Sequence, residues 1–257
     1  MKVEIFTHRN CTECHIVLDF LKEKGLLDKV DVIDTEKYPF MAFERGVIST
    51  PSIFVDGELI FAGQVDLVEL EKILNGEKIN KKISEQDLIN KLMEGIVDSF
   101  AATAWIYVNN DLPHFVEQKD FVMAVTGIIN DEKRDELYEA LKEGVKANGI
   151  ELLDKWKERM KRNISSNFIR EMYWLYQRKL SKEEVSSKYP LEVFAHWLMV
   201  RGGALGRVGL RIYPLSDSAV LSRISEVYLY VFENYDQLWN KVINEQRKLE
   251  EGEVLNS

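Results

Sequence analysis

Cysteine is almost missing from this sequence: Cys11 and Cys14 are the two copies in 257 residues. Two cysteines three positions apart cannot build a structural disulfide framework, and a zinc site made of cysteine alone needs two such pairs. Histidine is nearly as scarce, with four copies. Asp111-x-x-His114 has the spacing of a metal pair, but Pro113 interrupts it. No second pair of that kind exists, di-iron bundles need two, and His196 stands alone, so no metal site is expected. Long apolar runs are also lacking; the longest, near 100–108, is about half of a membrane span. Positive charge is in deficit. The formal net charge is −9, with the acidic excess concentrated in the first 75 residues. That balance argues against nucleic acid or an anionic membrane as a partner. The opening residues Met1 to Phe6 alternate like a strand and leave no room for a cleavable apolar leader, so a cytoplasmic location is expected.

Hydrophobic residues make up 46% and charged residues 30%, enough to bury a core and keep a polar surface. The pattern divides the chain into an α/β domain over 1–76, a polar linker over 77–83 and an all-helical domain over 84–257. In the first part, strands are predicted over 2–7, 29–34, 52–55 and 59–61, and helices over 12–24, 39–45 and 66–74. Asp56-Gly57 between the last two strands is a strong hairpin signal, because this dipeptide accepts positive φ. Asp66 is placed to cap the closing helix. Beyond the linker the periods lengthen, and helices are predicted over 84–108, 113–129, 131–148, 150–162, 164–180, 190–202 and 217–249.

The cysteine pair follows an apolar strand and opens a helix. Unpaired amides and the helix dipole at that end stabilise a thiolate. Such placement lowers a cysteine pKa from about 8.5 to somewhere between roughly 3.5 and 7.5. Cys11 is therefore the expected nucleophile toward a disulfide sulfur. Cys14, one turn further in and more buried, is expected to resolve the mixed disulfide. Two inert buried thiols are the plain alternative.

The stretches Val3-Glu4-Ile5-Phe6-Thr7, Cys11-Thr12-Glu13-Cys14, Thr50-Pro51-Ser52-Ile53-Phe54-Val55-Asp56-Gly57 and Ala62-Gly63-Gln64-Val65-Asp66-Leu67 carry a resemblance. Through them residues 1–75 resemble the glutaredoxin branch of the thioredoxin superfamily. The fold class implied is an α/β thioredoxin fold followed by a larger all-α domain. The activity implied is thiol–disulfide exchange, with Cys11 attacking and Cys14 resolving. Pro51 resembles the cis-proline that faces the dithiol in such enzymes, and the Thr50 backbone would then pair with an incoming peptide or thiol. A trans proline opening a strand is the alternative.

The motif also departs from its relatives. Thr12-Glu13 stands where glutaredoxins carry Pro-Tyr and thioredoxins Gly-Pro, and a carboxylate there opposes thiolate charge. Ile5 occupies the position of the buried thioredoxin aspartate, which removes that proton relay. Gly63 and Asp66 match the turn with which glutaredoxins grip the γ-glutamyl end of glutathione, but Val65 replaces the usual small polar residue. Arg9 and Lys37 are candidate partners for glutathione carboxylates and ordinary surface residues at the same time. The expected partners are a disulfide-containing protein or small thiol substrate and a dithiol reductant. No cofactor beyond the redox-active disulfide is expected, and glutathione stays open. A thioredoxin fold followed by helices is also the layout of glutathione transferases. Ala62-Gly63 where those carry Glu-Ser or Gln-Ser, and the second cysteine, favour the oxidoreductase. A redox-sensing binding module is the other alternative.

In the helical part, the segment from Arg201 to Arg211 carries three arginines and four glycines. It reads either as an anion-binding loop or as a glycine-terminated helix and turn. Tyr173, Trp174, Tyr176, Tyr228, Tyr230, Phe232, Tyr235 and Trp239 read as helix packing, with a homodimer face as the second reading.

Overall fold

Val3–Thr7 (β1) alternates its side chains between two apolar layers, and all five residues are buried. Val3 and Ile5 join Val17, Leu21, Ile53, Leu70 and Leu74 on one face, while Phe6 joins Ile33, Val47 and Phe54 on the other. The structure is a computed structural model that describes residues 1–9, 11–77 and 85–251, without the side chains of 85, 86 and 248–251. The expected linker, apart from Glu77, lies outside the described residues.

β1 is followed by Thr12–Glu23 (α1), Asp31–Asp34 (β2), Pro39–Glu44 (α2), Ser52–Val55 (β3), Glu58–Ala62 (β4) and Leu67–Leu74 (α3). The sheet order is β2-β1-β3-β4, with β1 parallel to β2 and antiparallel to β3. Residues of α1 and α3 cover one face; Ala42 of α2 packs on the other. This is the thioredoxin fold. Asp56 and Gly57 take φ of 49° and 91° in the β3–β4 hairpin, as their dipeptide predicts. Glu4 is the exception to the apolar pattern. Its buried carboxylate accepts from Lys2 at 2.7 Å and Arg45 at 2.8 Å, which satisfies the charge.

The remainder is helical: Glu85–Asp98 (α4), Phe100–Asn109 (α5), Leu112–Phe115 (α6), Lys119–Thr126 (α7), Arg134–Tyr176 (α8), Lys182–Lys188 (α9), Leu191–Gly203 (α10), Ser218–Glu233 (α11) and Tyr235–Glu251 (α12). α8 is a 43-residue mast against which α4, α5, α6, α7, α11 and α12 pack. It replaces three predicted helices. Gly149, the expected boundary, is buried mid-helix because Pro113 packs where a side chain would start, 3.3 Å from an added Cβ. Elsewhere the predicted helices divide. The 84–108 helix breaks at Ser99, whose hydroxyl accepts from the Ala102 amide at 3.4 Å, and the 217–249 helix breaks at Asn234. The 113–129 helix is α6, α7 and a 3₁₀ turn over Ile128–Asn130.

Ala62 at the end of β4 belongs to the helical core, with Ile48 and Leu59 packed against it. Arg134 reaches Glu58 at 2.8 Å across the same junction, but both are about half exposed. Such pairs contribute about 0–1 kcal/mol, so apolar burial holds the two parts together. Among the described residues no helix is long and apolar enough to cross a membrane.

Two glycines test the helix packing with opposite signs. An added Cβ at Gly95 in α4 would stand 2.5 Å from Val125 Cβ, whereas at Gly144 in α8 its nearest neighbour is Ile89 Cδ1 at 3.6 Å. Alanine in a helix gains about 0.5–1 kcal/mol over glycine, and overpacking costs about 1–3 kcal/mol. Gly144→Ala is expected to raise the midpoint of thermal unfolding and Gly95→Ala to lower it. Equal shifts for the two variants would contradict this packing.

Candidate functional site

Cys11 is the N-cap of α1, with extended backbone at φ −101° and ψ 110°. Its sulfur accepts the Cys14 amide at 3.1 Å. The pair forms a disulfide with Cα atoms 5.2 Å apart. Cys11 is half-buried and lines a cleft; Cys14 is only 1% exposed. The Thr50–Pro51 peptide is cis, and the Thr50 carbonyl lies 3.4 Å from Cys11 Sγ. The Pro51 carbonyl is occupied, accepting the Gly63 amide at 2.8 Å, and Gly63 takes φ 83° to deliver it. Cys11, Thr50, Pro51 and Gly63 are thus brought together. Asp66 is not: its carboxylate accepts the Val68 and Glu69 amides at 3.1 Å each, as N-cap of α3, and it does not line the cleft.

The cleft has a volume of about 740 Å³ and lies between the two parts of the chain. His8, Glu13, Phe43, Ser49 and Thr50 form one wall, and Asp98, Phe100, Asn167, Arg170 and Trp174 the other. Arg201 and Arg207 come from the arginine–glycine segment, which is the end of α10 followed by a 3₁₀ helix over Ala204–Val208. Arg207 donates to the Val47 carbonyl, and Arg201 pairs with Glu171 at 2.6 Å. Arg211 instead offers its carbonyl to Trp105 and Asn109. The Ser49 hydroxyl is buried with no hydrogen-bond partner among the described residues.

Glu13 does not point along an open surface. Its carboxylate accepts the Val65 amide at 3.3 Å, and the neighbouring Gln64 donates to Asp98 at 2.8 Å. Burial raises the Glu13 pKa, partly offset by the Val65 bond, and Asp98 raises it further. Burial likewise raises the Asp98 pKa, against a lowering by Arg159. Arg9 and Lys37 are engaged, with Glu36 at 2.9 Å and Asp34 at 3.9 Å. His114 belongs to a helix cap, its amide donating to Asp111 at 3.0 Å. Tyr235 and Trp239 are buried in the chain's own core, while Trp174 faces the cleft and donates to Gln246 at 2.8 Å. Sequence reasoning missed Asp98, Asn167, Arg170 and Glu171. No local pattern marks them, since they meet the dithiol only through packing of α4 and α8.

Residues 1–75 match the family model of a thioredoxin domain. A probable thioredoxin of Methanothermobacter thermautotrophicus is 31% identical over 85 residues, covering 95% of that protein and 30% of this chain. No solved structure gives a significant match.

The Glu13 shift has a consequence for stability. A carboxyl whose folded pKa is raised binds its proton more tightly in the folded state, so stability falls as pH rises from the unfolded pKa through the folded one. Glu13→Gln removes that loss and keeps an acceptor for Val65. The variant is expected to melt above the wild type at pH 7, with the difference vanishing at acid pH below both pKa values. A difference that grows on acidification would contradict the assignment.

Proposed function

Because residues 1–75 make this chain a member of the thioredoxin family, we propose that it is a thiol–disulfide oxidoreductase working through Cys11 and Cys14. The observation that carries the reading is the position of Cys11 Sγ, at once acceptor for the Cys14 amide and 3.4 Å from the Thr50 carbonyl at the cis peptide. In the reduced protein the Cys11 thiolate attacks one sulfur of the substrate disulfide, forming a mixed disulfide and releasing the first substrate thiol. The Cys14 thiolate then attacks Cys11 Sγ, releasing the second thiol and closing the Cys11–Cys14 disulfide. A dithiol reductant returns the two electrons. Thr50 offers the substrate an edge beside Cys11 in the cleft, and Pro51 and Gly63, joined by the Gly63 amide to the Pro51 carbonyl, hold that edge in place from behind. The helical wall narrows access, which favours a small disulfide or an extended segment of a protein over a broad folded surface.

The test is turnover of a disulfide with a dithiol donor by the full chain. Cys11→Ser is expected to fall to the uncatalysed rate, and Cys14→Ser to accumulate a mixed disulfide on Cys11 visible by mass spectrometry. A Cys11→Ser variant with wild-type turnover would overturn the reading. So would a wild type that turns over no disulfide but changes oligomeric state on oxidation, which is the behaviour of a redox sensor.

A further inference from the structure

A second pocket of about 360 Å³ adjoins the dithiol cleft and shares Asp98, Phe100, Asn167 and Arg170 with it. Its remaining wall carries Arg159, Arg162, Ser166 and Lys241. Four cations therefore face one carboxylate, Asp98. Three of the four are partly engaged. Arg170 pairs with Glu245 at 2.9 Å, Lys241 approaches Glu245 at 3.8 Å, and Arg159 lies 4.0 Å from Glu94 while stacking on Trp156. Arg162 has no ion-pair partner among the described residues. The second sign is the Ser166 hydroxyl. Ser166 is 6% exposed, and its Oγ has no hydrogen-bond partner among the described residues. A buried donor left without an acceptor is destabilising, and an anion in this pocket would satisfy it together with the guanidinium forks.

We propose that this pocket holds the anionic end, carboxylate or phosphate, of the disulfide whose sulfur is presented to Cys11. The proposal rests on the oxidoreductase reading for the disulfide part but not for the anion part. Asn167 and Arg170 belong to both cavities, so one ligand can span from the sulfur site to the cations without leaving protein contact.

Calorimetric titration of the full-length oxidised protein with pyrophosphate and with succinate tests the anion site without any redox chemistry. At least one probe is expected to bind, with affinity reduced about tenfold in Arg162→Gln, the loss of one charge-assisted contact, and falling with added salt. Preference for pyrophosphate assigns a phosphate-bearing ligand, and preference for succinate a carboxylate-bearing one. Binding is also expected to weaken in Ser166→Ala, whose melting temperature without probe should equal or exceed the wild type's. Lys146→Gln on the remote face of α8 is expected to bind as the wild type does. No binding of either probe, or equal binding in Arg162→Gln, overturns the site. The link to the dithiol is read from the rate at which pre-reduced protein attacks 3,3′-dithiodipropionate relative to neutral bis(2-hydroxyethyl) disulfide. That ratio is expected to fall in Arg162→Gln. An unchanged ratio overturns the substrate role, and a wild type that attacks neither disulfide overturns the oxidoreductase reading while the calorimetric result stands.

Discussion

One orphan donor organises the dithiol. The first turn of an α-helix leaves amides without intrahelical acceptors, and in α1 the Cys14 amide takes the Cys11 sulfur at 3.1 Å. That contact requires Cys11 to stand just outside the helix in extended backbone. It also sets the division of labour. The sulfur at the cap stays half-buried beside the Thr50 carbonyl, and the residue one turn in is buried. The same amide that satisfies the disulfide sulfur stabilises a thiolate once the bond opens.

The helical part turns this surface feature into a walled site. β4 feeds Ala62 into the helical core while Ile48 and Leu59 pack against it, so the sheet and the helices share apolar surface rather than meeting through charge. α8 then carries Asn167, Arg170, Glu171 and Trp174 to the cleft on one continuous rod. A single 43-residue helix transmits position well, and it lets side chains far along the sequence stand at fixed places around Cys11. The dithiol and the residues of α8 thus line one cleft, although they lie far apart in the chain.

This division explains what could be read in advance. The α/β part was legible because its signals are local: alternation in β1, Asp56-Gly57 at a two-residue hairpin, Asp66 at a helix start. Cys11, Thr50 and Pro51 were legible because the motif and the strand order place them together. Helices in the second part were legible as helices but not in their limits. Gly149 looks like a stop in one dimension and is a contact point for Pro113 in three. Ser181-x-x-Glu184, a capping box that opens α9, was a readable signal left unread. The wall of the cleft had no signal at all, because Asp98 and Arg170 acquire meaning only when α4 and α8 pack beside the dithiol. Of the two readings open for Asp66, the structure shows the helix cap, with its carboxylate accepting the Val68 and Glu69 amides.

The charges around the dithiol look contradictory until their titration is compared. Glu13 and Asp98 oppose an anion, while Arg170, Arg201 and Arg207 attract one. Burial raises the pKa of both carboxyls, and both are hydrogen-bonded to the 64–65 turn, with Arg159 opposing part of the shift at Asp98. An anionic ligand that displaces water from the cleft adds to the desolvation and to the like charge, and both effects raise those pKa values further. The carboxyls can answer by taking up a proton. The guanidinium groups have no equivalent response and keep their charge throughout. Proton uptake offsets part of the charge the ligand brings, which lowers the cost of seating an anion beside these carboxyls.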